Sequence, residues 1–167
     1  MNIWLSIIIL VVVLLGALLL LIYERKCVNS NKHDIMSFKE ALDLTNLPIV
    51  TFVNNKKKFN FLLDTGSNRS VINESSLKDC AYKKIDGVNT LSGLDGVERI
   101  VNNVSLDLCY KGKIYEETFQ VTDLAPAVKS LKEETGVNLH GILGNQFFQN
   151  YRYILNFDEM IAYSKNS

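Results

Sequence analysis

The 167-residue chain carries no excess of either charge: 18 lysines and arginines balance 18 aspartates and glutamates along its length. Without a basic face, nucleic acid is excluded as a partner. The sequence also has little with which to hold a metal. Its three cysteines, Cys27, Cys80 and Cys109, lie far apart with no Cys-x-x-Cys pair, and two histidines cannot complete a zinc site. No metal and no cofactor are expected. Cys80 and Cys109 read as small, half-buried thiols, and whether they pair is not readable from spacing. There is no internal repeat and no low-complexity tract.

One long apolar run is present. From Ile3 to Ile22 only Ser6 and Gly16 break it, and about 20 residues at helical rise cross the roughly 30 Å hydrocarbon layer of a bilayer. Residues 1–23 are therefore expected to form a transmembrane anchor, with Trp4 and Tyr23 at the two interfaces. A cleaved signal peptide is disfavoured: no charged n-region precedes the run, and no small-x-small site precedes Glu24. The expectation is a single-pass membrane protein. Arg25, Lys26 and Lys32 on the second flank favour a cytoplasmic domain, although the sequence leaves the side open.

With that segment set aside, about 120 to 140 residues remain, enough for one domain. Residues 24–46 are polar and read as a juxtamembrane stalk, with an inert His33 and a short helix over Phe38 to Leu44 that Ser37 could cap. From residue 47 to 167 the pattern becomes short runs of Val, Ile, Phe and Tyr between Asn, Gly, Asp and Lys, which predicts a mostly β domain. Pro48–Val53 and Phe59–Leu63 form a hairpin about a polar turn at Asn54–Lys58. Further strands are predicted at 70–72, 97–101, 104–110, 114–122, 141–143 and 153–156. Short helices are predicted near 74–79 and 146–151, the second capped by Asn145.

Two motifs bear on chemistry. The apolar strand Phe61-Leu62-Leu63 runs into Asp64-Thr65-Gly66-Ser67, and a second apolar strand, Ser70-Val71-Ile72, follows. Alone, an Asp and a Gly here could simply make a turn. Near the C-terminus comes His140-Gly141-Ile142-Leu143-Gly144-Asn145-Gln146-Phe147-Phe148, followed by the strand-like Tyr153–Phe157. Between the two lies the glycine-bearing stretch Thr90-Leu91-Ser92-Gly93-Leu94-Asp95-Gly96-Val97-Glu98.

In order and spacing these motifs resemble the retropepsin-like aspartic protease family over roughly Leu47 to Ser164. The resemblance implies a single-lobe acid-protease β-barrel with a flap hairpin and one or two short helices, here preceded by a transmembrane helix. It implies an aspartic endopeptidase in which Asp64, Thr65 and Gly66 form the catalytic loop. Ser67, Asn68, the flap residues Gly93, Leu94, Asp95 and Gly96, and Ile142 would bind a peptide or protein substrate. Glycines let a flap approach a peptide closely, and its mobility lets the site open and shut.

Such hydrolysis needs one carboxylate as base and one carboxylic acid as proton donor, roles that two adjacent carboxyls sharing a proton supply. Only one Asp-Thr-Gly is present, so the second must come from a second copy, and a homodimer is implied. Ile72, Val97, Leu124 and Ile142 would wall the subsites. The sequence departs from retroviral members in having Ser67 after the glycine, where its hydroxyl could donate to the carboxylate. It also has Asn68 and Asn145 where those enzymes place an ion pair. The alternative reading is a membrane-tethered pseudoprotease that binds extended peptides without cutting them.

Overall fold

The computed structural model of the protein describes residues 35–92 and 98–164. Ten strands, three α-helices and one 3-10 helix occur among them. β1 (Ile35–Ser37), α1 (Lys39–Thr45), β2 (Ile49–Asn54) and β3 (Lys57–Leu63) come first, then β4 (Ser70–Asn73) and the 3-10 helix (Glu74–Asp79). β5 (Lys83–Ser92), β6 (Glu98–Tyr110), β7 (Lys113–Thr122) and α2 (Ala125–Thr135) follow, then β8 (Gly141–Leu143), α3 (Asn145–Tyr151), β9 (Tyr153–Asn156) and β10 (Ile161–Ser164).

The predicted hairpin is present but tighter than expected. Asn54 pairs with Lys57, and Asn55 and Lys56 both take positive φ, 47° and 63°. Two left-handed residues match the right-handed twist of the flanking strands. Strand order in the main sheet is β2-β3-β8-β4-β7-β6-β5, and a further pairing of Val53 in β2 with Cys109 in β6 joins the first strand of that order to the last but one. β2, β3, β8, β4, β7 and β6 therefore close on themselves as a barrel, which removes most of the open sheet edge. β5 lies outside that ring, paired with β6 alone as far as Ser92 and Glu98.

The barrel is filled by the inward residues of each strand: Val50, Phe52, Phe59, Phe61, Leu63, Ile72, Val104, Leu106, Leu108, Tyr115, Phe119 and Leu143. Phe147 of α3 plugs one end, in ring contact with Phe52, Tyr115, Phe148, Tyr151 and Tyr153. A second, smaller cluster of Ile49, Val128 and Leu139 sits beneath α2.

Several expectations are corrected. Residues 35–46 are not stalk, because β1 pairs with β10 and both Met36 and Phe38 are fully enclosed in the core; residues 24–34 of the expected stalk lie outside the described residues. An alternation of two apolar residues is too short to announce a strand, so burial against β9 and β10 decides it. Helix α1 starts on Phe38 rather than on a Ser37 cap, and α3 starts on Gly144 with no side-chain cap from Asn145. The helix count exceeds one or two because α2 was not anticipated, although Pro126 near its start and left-handed Gly136 at its end are ordinary helix boundaries. The runs at 97–101 and 104–110 are one strand, β6. Cys80 and Cys109 do not pair with each other. Among the described residues no helix is long and apolar enough to cross a membrane, and the expected anchor, 1–23, lies outside them.

Candidate active site

The Asp64 loop exists because of a crossing in the sheet. β3 and β8 run parallel, and β4 returns antiparallel on the far side of β8. The chain leaving Leu63 must therefore pass over the end of β8 before re-entering the sheet at Ser70. It does so as residues 64–69.

Four hydrogen bonds from backbone N–H groups tie this arch and its exit at Ser70 to the β8–α3 junction beneath it. Asp64 N–H donates to Leu143 O (3.0 Å), Asn145 N–H to Ser67 O (2.6 Å) and Gln146 N–H to Asn68 O (3.2 Å). Gly144 N–H donates to Ser70 Oγ (3.1 Å). Backbone approaches so closely here that a Cβ on Gly144 would run into the main chain of Arg69 and lie 2.9 Å from Ser67 O. Glycine is required by contact, not by φ.

Within the arch, Gly66 N–H donates to Asp64 Oδ1 (2.9 Å) and Ser67 N–H to Asp64 O (3.3 Å). The carboxyl is thereby oriented by the loop's own backbone. A side chain at position 66 would crowd it, its Cβ 3.2 Å from Asp64 Oδ1. Asp64 is half-buried, while Thr65, Gly66 and Asn68 are exposed. The loop thus presents one aligned carboxyl at the surface, with Thr65 free of the protein's core.

The remaining predicted residues divide into those brought near and those not. Ile142, half-buried, sits on β8 between Leu62 of β3 and Val71 of β4, beside the loop. Ser67 does not donate to the Asp64 carboxyl; its hydroxyl is committed to Arg69 O at 2.8 Å. Ile72 is fully enclosed in the barrel and cannot wall an open subsite, and Leu124 packs with the cluster under α2. Gly93, Leu94, Asp95, Gly96 and Val97 lie outside the described residues. Where an ion pair was expected to be missing, Arg69 Nη1 donates to Gln146 Oε1 (3.2 Å), linking the same two segments by a different pair.

His140 is structural. Its Nδ1 accepts the Asn60 N–H (3.0 Å), and burial holds its pKa below the usual imidazole value. Two residues escaped the sequence reading: Ser70, wholly enclosed, and Glu117, 2% exposed. Ser70 Oγ donates to Glu117 Oε1 at 2.7 Å. The signal available was parity, since Glu117 falls two residues from both Tyr115 and Phe119 on the inward face of β7. No group of metal-ligating side chains occurs among the described residues.

A family model described as aspartyl protease matches residues 50–147, more than half of the chain. No curated protein matches it. Among solved structures, the retroviral protease-like domain of Ddi1 from Leishmania major is similar at 15% identity over 72% of this chain and 90% of that one, with a TM-score of 0.51. The EIAV protease complexed with the inhibitor HBY-793 is similar at 22% identity over 62% and 86%, with a TM-score of 0.47. At such identity the Ddi1 likeness speaks for fold alone. The matched segment runs from β2 through the Asp64 arch to the first turn of α3, the parts that build this barrel and its crossing, and the chain belongs to the aspartyl protease family, with a single-lobe retropepsin-like fold.

Proposed function

We propose that this protein is an aspartic endopeptidase active as a homodimer, each copy supplying Asp64 to a shared site. The observation that carries the reading is the Asp64 arch: a surface carboxyl aligned by Gly66 N–H on a loop pinned by the β8–α3 junction, in a chain of the aspartyl protease family. A peptide or protein is the substrate.

In the mechanism, Asp64 of one copy, as carboxylate, takes a proton from water while the oxygen attacks the scissile carbonyl. The partner's Asp64, as carboxylic acid, gives its proton to the carbonyl oxygen. As the C–N bond breaks, a proton passes to the leaving nitrogen, and one water has been added across the peptide bond. Backbone preorganisation of the carboxyl matters because such transfers demand hydrogen-bond reach in a fixed geometry. Ile142, half-buried beside the loop, favours an apolar side chain next to the cut, and Asn68 offers a polar contact to the peptide. Gly93, Leu94, Asp95 and Gly96, between the paired ends of β5 and β6, form the flap in this reading.

Residues 1–23 act as a membrane anchor, confining copies to a plane and raising their effective concentration for pairing. The support is the apolar run from Ile3 to Ile22.

The test is incubation of the full chain, in detergent or lipid discs, with a mixed peptide library from acid to neutral pH, alongside Asp64→Asn. Cleavage by the parent and none by D64N is expected. Equal products from both would remove Asp64 from the chemistry. Binding of extended peptides without cleavage by either would establish the pseudoprotease alternative.

A further inference from the structure

Glu117 is an acid placed where an apolar residue belongs. Among the described residues it is the one buried side chain that can carry a charge, and it faces inward from β7 between Tyr115 and Phe119. An isolated carboxyl is costly to bury, so its contacts bear on why it is there. Its Oε1 receives the proton of Ser70 Oγ at 2.7 Å. The same oxygen of Ser70 receives the Gly144 N–H at 3.1 Å.

Besides the Arg69–Gln146 side-chain bond, four backbone N–H groups pin the Asp64 arch to the β8–α3 junction: three meet carbonyl oxygens directly, and the fourth meets this hydroxyl. A hydroxyl rotates freely unless its proton is claimed. Glu117 claims it, which leaves a lone pair directed at Gly144 N–H. We propose that Glu117 is a positioning residue for the Asp64 loop, orienting Ser70 so that the Gly144 turn, and with it the arch above, is held in one geometry.

The proposal rests on the reading of Asp64 as the reacting carboxyl and adds a device to it. Burial pushes Glu117 up to about 7, with the Ser70 bond drawing it down by a lesser amount. The anchor therefore changes charge within the range where a protease works. Other groups facing it do not compensate. From β4 it meets Ser70; on β6 its cross-strand partner is Leu106. On α3, Tyr151 donates to Glu116 O at 2.8 Å, and its phenol is pushed up by burial and by Glu117 itself. Glu116, its neighbour in sequence, accepts from Ser105. An ionised Glu117 keeps Ser70 as its donor, but no cation among these groups offsets the cost of burying its charge, so openings of the arch that hydrate the carboxylate become easier as pH rises.

The experiment uses the full chain as parent, Glu117→Gln and Glu117→Leu. The readouts are amide hydrogen exchange at Gly144, Asn145 and Gln146 against pH, referenced to the β2–β3 ladder, and kcat and KM across the same range. In the parent, protection of these three amides and kcat are expected to fall as pH rises from 4.5 to about 7, protection by up to about tenfold per pH unit, and to level off above it, because an opened arch ionises Glu117 in that window and a closed one does not. KM should change little. E117Q keeps the acceptor for Ser70 and should abolish both declines; E117L should lack protection at Gly144 at every pH. Superimposable exchange profiles for parent and E117Q would overturn the proposal, as would full Gly144 protection in E117L. If no variant cleaves peptide while exchange behaves as expected, the protease reading fails and the positioning of the loop stands. Cleavage that depends on Asp64 but ignores Glu117 has the opposite meaning.

Discussion

At Glu117 burial sets the sign of the pH effect on stability. Folding moves the carboxyl from an ordinary 4.5 to about 7, so the folded chain retains a proton that the unfolded chain has released. Its contribution is complete below 4.5 and is lost as pH rises through about 7. The loss amounts to about 3 kcal/mol, at about 1.4 kcal/mol for each pH unit separating the two values. Urea midpoints should decline over that window in the parent and stay level in E117Q. Gly144 sets the second residue-scale prediction. A methyl there meets the backbone of Arg69 and Ser67 rather than yielding side chains, so Gly144→Ala should destabilise by about 2 kcal/mol, as overpacking does. Because the displaced backbone is the Asp64 arch, kcat should drop in the same variant. Stability lost without any change in turnover would mean that the arch does not carry the chemistry. Gly144 stands in the second sequence motif, whereas Glu117 is not singled out there. Only the inward parity of β7 marks it out.

At the scale of elements, β1 and α1 are the clearest correction. Residues 35–46 are polar enough to read as stalk, yet Met36 and Phe38 alternate with Ile35 and Ser37 to enter the core, and Phe38 makes a tilted ring contact with Phe157, centroids 5.4 Å apart. Phe38→Ala should therefore cost about 3 to 5 kcal/mol, as expected for a fully enclosed aromatic, measured by chemical denaturation. A linker residue would show almost none. α2 was missed for a different reason. Its apolar face consists of Val128 and Leu131 over a small cluster, a weak periodic signal within a chain that otherwise reads as strand. Its boundaries were legible all the same: Asp123 accepts the Ala125 N–H at 2.8 Å, and Gly136 closes it. Strands β4, β7, β8 and β9 lie close to the predicted runs, because short apolar runs between turn residues mark strands whether they alternate, as most of β7 does, or are buried throughout, as β4 is.

For the whole molecule, closure of the barrel by Val53 and Cys109 leaves one Asp64 per chain at the surface, and the proposed activity requires two. Specific activity should therefore fall on dilution, and after equal mixing of parent with D64N parent homodimers should make up about one quarter of all dimers, half the number the parent forms alone, if pairing is random. Activity proportional to parent protein alone, at any dilution, would argue for a working monomer. The sequence by itself determined that the domain is β, that Asp-Thr-Gly follows an apolar strand, and that a Gly-Ile-Leu-Gly strand lies downstream, since alternation and turn residues are local properties of the chain. The tertiary structure alone decided that β8 passes between β3 and β4. It also decided that Ser67 turns to Arg69 rather than to Asp64, and that a buried glutamate anchors the loop through Ser70. The Glu117 anchor joins residues 47 and 74 positions apart, while the Ser67 bond spans only two, and in neither case does a local pattern report which partner a side chain will meet.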